Sequence, residues 1–121
     1  MNSRNFPALS AQAVIHWRPP QGSQNDAYEA CVRQYAYSSM RVPERMRPAL
    51  IIIPGSEDDI QKVILYAKAQ GVAMALRSGG HAFHGGSSTG GDNIQLDLGA
   101  SPLSKTWEFE AERREVTLGT G

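Results

Sequence analysis

The sequence has a single cysteine, Cys31, among its 121 residues. One cysteine excludes an internal disulfide and a metal site built from several thiolates, and we interpret Cys31 as a small, partly buried helix residue. Basic and acidic residues balance at 12 each. That balance excludes the basic surface of a nucleic-acid-binding protein and a polybasic membrane anchor. No apolar run approaches the ~20 residues of a membrane span.

The two ends of the chain also lack expected features. Residues 1–10 have no apolar core of the kind found in signal peptides, so we expect a cytoplasmic protein by default, or a secreted one if the true N-terminus is missing. The chain stops at Gly121, directly after a strand-like segment. This ending predicts a truncated domain or a partial gene product. The length suits one domain and not two.

The first third of the chain is weakly patterned. Residues 1–26 resemble a loose lead-in, with a breaker cluster at 19–23. A helix is predicted over Ala27–Ser38, capped by Asn25 or Asp26. Its shared apolar face would comprise Tyr28, Cys31, Val32 and Tyr35. We expect the charges of the following loop to be a solvated surface; they are Arg41, Glu44, Arg45 and Arg47.

The middle of the chain predicts a βαβ unit. Ala49–Ile53 is a continuous apolar run, typical of a strand buried on both faces. Ser56 is a good N-cap, followed by three acidic residues where the helix dipole favours them, and Gly71 ends the helix. A second strand, Val72–Leu76, follows at once. The two strands should be parallel and joined by a right-handed crossover.

The last part of the chain predicts short strands. Ile94–Leu98 alternates as a half-buried strand, and Trp107–Glu110 and Glu115–Leu118 alternate as the arms of a tight hairpin. The fold class is therefore α+β (α/β), a βαβ unit with additional short strands.

A glycine-rich loop, Arg77–Ser88, follows the second strand of the βαβ unit. Six of the 12 glycines lie between Gly79 and Gly91. Glycines allow positive φ and close approach to a ligand, and the carboxyl end of a parallel strand is where α/β sheets bind ligands. Phosphate binding, helped by the hydroxyls of Ser78, Ser87 and Ser88, and a flexible surface loop remain alternatives. The loop leads into a strand and lacks Gly-Lys-Ser/Thr, which excludes Rossmann and Walker A loops.

Two histidines lie inside this loop. His81 could be structural, or its neutral imidazole could act as a nucleophile or ligand. His84 follows three residues later, but no third ligand accompanies the pair, so we predict no metal site.

Several segments, in this order, resemble the FAD-binding domain of the vanillyl-alcohol oxidase superfamily, also called the PCMH type. The loop Arg77–His81 is similar to the Arg-Ser-Gly-Gly-His loop of berberine bridge enzyme-like oxidases. The resemblance covers about Tyr28 to the end, so the division is a lead-in over 1–26 and a truncated domain over 27–121. The matching segments are Pro48–Pro54, Ser56–Ile60, Val72–Gly86, Ile94–Leu98 and Val116–Gly121.

The resemblance implies FAD as the cofactor. It assigns the loop to the FAD pyrophosphate and makes His81 a possible covalent attachment point on the flavin 8α-methyl carbon. It also brings the segment after the hairpin to the flavin. The implied cofactor-binding residues are Arg77, Ser78, Gly79, Gly80, His81, Ala82, Gly85, Ser87, Ser88, Gly119, Thr120 and Gly121.

By the same resemblance, the chain corresponds to the first FAD subdomain of an FAD-linked oxidoreductase. Its flavin would accept hydride from a small organic substrate, and O2 would be the final acceptor. Two alternatives stay open: a non-catalytic remnant with weak or no FAD binding, and a phosphate- or nucleotide-binding module unrelated to flavin. The resemblance leaves the substrate and the catalytic residues undefined, because both belong to segments outside this subdomain.

Overall fold

The computed structural model describes residues 5–35 and 42–119. In these ranges the chain forms two α-helices, six strands and two short 3-10 turns. The elements in chain order are β1 (Val14–Trp17), α1 (Asp26–Val32), β2 (Leu50–Ile53), α2 (Glu57–Gln70), β3 (Met74–Arg77), β4 (Ile94–Asp97), β5 (Trp107–Glu110) and β6 (Glu115–Leu118). The mixed α/β class is confirmed.

The main sheet has the strand order β1-β2-β4-β3. β2 and β3 both run parallel to β4, so the strands that flank α2 are parallel to each other, as predicted. They are not neighbours, because β4 lies between them. The right-handed crossover stays a prediction.

The burial of β4 differs from the prediction of a half-buried strand. All four of its residues, Ile94–Asp97, are buried. The alternating pattern is misleading because β4 is the central parallel strand and its polar side chains are buried too. Its burial gives the sheet two covered faces.

The N-terminal segment is not the loose lead-in that we expected for 1–26. β1 pairs antiparallel with β2, from Val14 opposite Ile53 to Trp17 opposite Leu50. Phe6 also packs against the main core. These contacts place the described part of the segment in the same sheet and core as the rest of the chain.

Both predicted helices form, but the predicted bounds are accurate only for the second one. Asn25 caps α1 by accepting from the Tyr28 backbone N–H at 3.1 Å. The helix ends at Val32, earlier than the predicted Ser38, because Arg33 is extended (φ −61°, ψ 139°). Tyr35 consequently leaves the helix face and is 65% exposed. Residues 36–38 of the predicted helix lie outside the described residues.

The boundaries of α2 agree with the prediction. Ser56 and Asp59 form a reciprocal capping box at its start, and Gly71 ends it in the left-handed conformation with φ 63°. Neither described helix is long and apolar enough to span a membrane.

Each face of the main sheet has its own core. The face toward α2 is formed by alternate residues of β2 and β4, packed with side chains of the helix: Leu50, Ile52, Val63, Tyr66, Ala67, Ile94 and Leu96. On the opposite face, Ile51 packs with Tyr28, Val32, Val42 and Met46. Because side chains alternate along a strand, Gln95 and Asp97 lie on this second face, beneath α1 and the glycine loop.

Arg47 joins α1 to the segment before β2 and is not the solvated charge that we expected. Its side chain is 19% exposed and forms a bidentate pair with Glu29. Hydrogen bonding from Arg47 lowers the pKa of Glu29. Glu44 and Arg45 are exposed as predicted, and Arg41 lies outside the described residues.

The predicted hairpin forms with the predicted strand bounds. β5 and β6 pair antiparallel, with Trp107 opposite Leu118 and Phe109 opposite Val116. All four of these apolar side chains are more than half exposed. The hairpin is a second, two-stranded sheet beside the main one.

Candidate functional site

The glycine loop begins where the parallel strands end. β2, β4 and β3 run in the same direction, so their carboxyl ends share one edge of the sheet. Three connections leave this edge, starting at Pro54, Ser78 and Leu98. This edge is where open α/β sheets bind their ligands.

The backbone of the loop has the properties of an anion-binding turn. Gly80 and Gly85 have φ values of 68° and 84°, which favour glycine. Between residues 79 and 83 no backbone N–H donates a hydrogen bond to another described residue. Unpaired N–H groups on a turning backbone are the donors that phosphate oxygens need. The loop therefore has donors available where the sequence predicted them.

The Arg77 side chain binds groups of the protein itself. Its guanidinium donates to the backbone oxygens of Cys31 and of Arg33, the latter at 2.5 Å. Its Nε lies 3.5 Å from Asp97 Oδ2, and both side chains are largely buried. The carbonyls at a helix C-terminus have no partner within the helix, so Arg77 caps α1 and ties it to the start of the loop. This geometry supports the loop from beneath.

A second set of hydrogen bonds holds the far end of the loop. Ser87 Oγ donates to Gln34 Oε1 at 2.9 Å. Ser88 Oγ lies 2.8 Å from Gln95 Oε1 and 3.0 Å from the Met46 carbonyl oxygen, and its one proton serves one of them. Two of the three serine hydroxyls that we predicted as phosphate donors, those of Ser87 and Ser88, thus bind protein acceptors in this structure.

The His81 side chain is exposed at the top of the loop. Its ring meets the Tyr35 ring edge to face, with centroids 5.2 Å apart and an interplanar angle of 83°. On another side it lies close to Gly79, where an added Cβ would be 3.2 Å from two ring atoms. His84 is turned back into the loop, since its Nδ1 accepts from the Gly86 N–H at 3.0 Å. The two histidines therefore have different environments.

The residues after the hairpin lie apart from the loop. Gly119 N–H donates to the Thr106 carbonyl at 2.7 Å. Gly119 also lines a cleft of about 340 Å³, together with Glu57, Ile60 and Leu98, and none of the lining residues belongs to Arg77–Ser88. Thr120 and Gly121, the other two predicted contacts of this segment, lie outside the described residues.

The backbone at Ser78, where the loop leaves the sheet, lies very close to Gly99. Ser78 is exposed, but a Cβ added at Gly99 would overlap its carbonyl oxygen. We predict that Gly99→Ala displaces the loop and lowers the free energy of unfolding by about 2 kcal/mol, because the overlapping atom is backbone. Urea denaturation measures the change. Ala100→Ser, at the exposed neighbour, should be nearly neutral, and equal stability of Gly99→Ala and wild type would contradict the prediction.

Cys31 does not have the environment of a reactive thiol. Burial, with a contribution from Asp97, raises the pKa of the Cys31 thiol, which keeps it protonated at neutral pH. Within residues 5–35 and 42–119 no group of three potential ligands is arranged to hold a metal ion.

The sequence matches the FAD binding domain family over residues 48–121. The chain belongs to this family, and FAD is its cofactor. It is also 34% identical over 74 residues to a D-2-hydroxyglutarate dehydrogenase of Xanthomonas citri pv. viticola, a match that covers 61% of this chain and 15% of that protein.

Solved structures give the same assignment of fold. 6-Hydroxy-D-nicotine oxidase of Arthrobacter nicotinovorans aligns with a TM-score of 0.68 and 23% identity, over 93% of this chain and 22% of that one. A BBE-like 1 variant of Physcomitrella patens aligns with a TM-score of 0.64 and 21% identity, over 88% and 20%. The family match confirms the predicted FAD-binding domain, and the solved structures have the fold that the resemblance implies. The chain spans about a fifth of these solved chains.

The loop fits the diphosphate of FAD. Its free N–H groups, its two left-handed glycines and its place at the carboxyl edge suit an anionic group. The sequence predicted the loop as a binding segment, but it did not identify the residues from other elements that contact the loop. These residues are Gln34, Tyr35, Gln95 and Asp97. The only signal for the last two was a polar residue at alternate positions of an otherwise apolar strand.

Proposed function

We propose that this chain carries the pyrophosphate-binding segment of an FAD-dependent oxidoreductase whose flavin accepts hydride from a small organic substrate. The observation that carries the proposal is the glycine loop at the carboxyl edge of a parallel sheet, where the N–H groups from Gly79 to Phe83 donate to no other described residue. Bound FAD would supply the two-electron chemistry. O2 is the proposed final acceptor.

One set of residues would bind the phosphates, and another set holds the loop in place. The backbone from Gly79 to Phe83 would donate to the phosphate oxygens, and the left-handed Gly80 keeps the turn open. Arg77 and Ser87 hold the two ends of the loop through α1 and Gln34. A loop fixed at both ends loses less entropy when it binds a ligand.

We also propose that His81 is the covalent attachment point. One imidazole nitrogen would bond to the flavin 8α-methyl carbon. The methyl group and the imidazole would each lose one proton, and two electrons with two protons would end on the flavin, from which O2 takes them as H2O2. The exposed position of the ring is compatible with this reaction.

FAD binding tests the proposal directly. We expect quenching of flavin fluorescence when the chain is titrated with FAD, and weaker binding of ATP and NAD. After incubation and acid precipitation, part of the flavin should stay with the wild-type protein. His81→Ala should lose all acid-stable flavin and keep non-covalent FAD binding, since its backbone N–H remains.

His16→Ala is the matched control, because His16 lies half-buried in β1, outside the loop, and should change neither measurement. Preference for ATP or NAD would favour a nucleotide-binding module, and no binding at all would favour a non-catalytic remnant. Flavin that binds but is fully released by acid would exclude the covalent bond and leave FAD binding intact. Bleaching of bound flavin by D-2-hydroxyglutarate under anaerobic conditions, and recovery in air, would test hydride acceptance and O2.

A further inference from the structure

We infer that Tyr35 is the positioning residue for the His81 imidazole, and that the bond between His81 and flavin forms more slowly without its ring. The inference rests on the proposed covalent role of His81. It concerns a residue outside the glycine loop, which no motif in the sequence identifies.

The contact between the two rings is specific. Tyr35 and His81 are 46 positions apart, yet their centroids are 5.2 Å apart in an edge-to-face arrangement. Tyr35 makes a second edge-to-face contact with Phe83 at 6.1 Å. Tyr35 and Phe83 are 65% and 72% exposed, so burial in a core does not explain the cluster. An exposed tyrosine that contacts two loop aromatics is placed to orient them.

The two residues before Tyr35 are hydrogen-bonded to the glycine loop. The Arg33 carbonyl, two residues before Tyr35, accepts from Arg77 at 2.5 Å, and Gln34 accepts from Ser87 at 2.9 Å. Gln34 is 3% exposed. These bonds attach the segment that follows α1 to both ends of the loop, and the Tyr35 ring therefore has a defined position above His81.

The imidazole occupies space that a side chain at position 79 would need. A Cβ there would be 3.2 Å from Cε1 and Nδ1 of His81, closer than side chains normally allow. Tyr35 limits the rotation of an otherwise exposed ring, and the missing Cβ at Gly79 leaves room for the ring in this orientation. A nucleophile that is already oriented reacts faster, because less orientational freedom is lost at the transition state.

Two substitutions on opposite sides of the ring test the inference. Tyr35→Leu should lower the rate at which acid-stable flavin forms by about threefold to tenfold, the range expected from an aromatic pair. Gly79→Ala should also lower this rate, because the added Cβ would displace the imidazole. Tyr35→Phe keeps the ring and should restore the wild-type rate. Dissociation constants for FAD, measured in the His81→Ala background, should change less than twofold for Tyr35→Leu, which separates positioning from loss of binding.

The contact between the Tyr35 and His81 rings can also be measured by NMR in the absence of flavin. The His81 Hε1 proton resonance should shift in Tyr35→Leu and stay close to wild type in Tyr35→Phe, because both aromatic rings produce a ring current. Trp107→Leu removes a comparably exposed aromatic side chain in the hairpin, outside the glycine loop, and should leave the rate unchanged.

The outcomes separate the inference from the proposed function. Failure of the wild type to form acid-stable flavin contradicts the covalent role of His81, whereas a shifted His81 resonance in Tyr35→Leu would still support the ring contact. Normal attachment in Tyr35→Leu, or an unchanged His81 resonance, would overturn the positioning role. A parallel loss in the FAD dissociation constant would make Tyr35 a structural residue only.

Discussion

Asp59→Asn should lower the free energy of unfolding by about 3 kcal/mol, because it disrupts a buried carboxylate that receives several charge-assisted hydrogen bonds. Asp59 is fully buried. Its oxygens accept from Ser10 N and Oγ at 2.7 and 2.6 Å, from Gly55 N at 2.9 Å and from Ser56 N at 3.1 Å. An asparagine would turn an N–H2 group toward one set of these donors. Urea denaturation at neutral pH measures the loss.

The same carboxylate predicts how stability depends on pH. Burial raises the pKa of Asp59, but the hydrogen bonds from Ser10, Gly55 and Ser56 outweigh burial and lower it to about 2. A folded-state pKa below the ordinary value of 3.8 stabilises the protein above that value, and this stabilisation is lost as the pH falls toward 2. The wild type should therefore lose more stability than Asp59→Asn between pH 4 and 2.

Two variants make this prediction specific. Asp58→Asn changes the neighbouring carboxylate, which is 69% exposed and pairs with Lys62 at 2.7 Å, and should cost less than about 0.5 kcal/mol. Ser10→Ala should be strongly non-additive with Asp59→Asn, because the two residues share hydrogen bonds. Equal stability of Asp58→Asn and Asp59→Asn would show that the buried carboxylate does not anchor the N-terminal segment.

Local chemistry was sufficient to predict α2 and the hairpin. Ser56 and Gly71 act on the helix ends through bonds to residues only a few positions away, so the sequence contains the whole signal. In the hairpin, apolar residues alternate over both arms, and the structure pairs Phe109 with Val116 as this alternation requires. The glycine loop was identifiable for the same reason, because the ability of glycine to adopt positive φ depends on the residue itself and not on distant contacts.

Long-range pairing determined what the sequence did not predict. β4 appeared half-buried because Gln95 and Asp97 alternate with apolar residues, yet both are buried. Gln95 donates to the Cys31 carbonyl oxygen and Asp97 pairs with Arg77, partners that lie 64 and 20 positions away. β1 was missed because its pairing with β2 spans more than 30 positions. The residues that hold the glycine loop in place are also far apart in the sequence. Gln34, for example, reaches Ser87 only when α1 packs on the sheet.

Arg77→Met should be the most damaging change near the candidate site, with a loss of about 3 kcal/mol in the free energy of unfolding. It removes the donor to the carbonyls of Cys31 and Arg33 and leaves Asp97, whose side chain is 7% exposed, without its cation. Methionine keeps the apolar stem, so the loss reports the guanidinium. Because Arg77 also begins the glycine loop, FAD affinity should fall with stability in titrations at a temperature where the variant is folded.

The geometry of the guanidinium separates this prediction from a simple effect of charge. Arg77→Lys keeps a cation but cannot reach two carbonyls and a carboxylate together, so it should recover only part of the stability. Arg77→Met combined with Asp97→Asn should be more stable than the sum of the single losses predicts, because no buried charge is left unpaired. Arg113→Met removes an arginine that is 70% exposed and pairs with Glu110 at 3.4 Å, and it should be neutral. If Arg77→Met were as mild as Arg113→Met, the junction of α1, β3 and β4 would not be what holds the glycine loop in place.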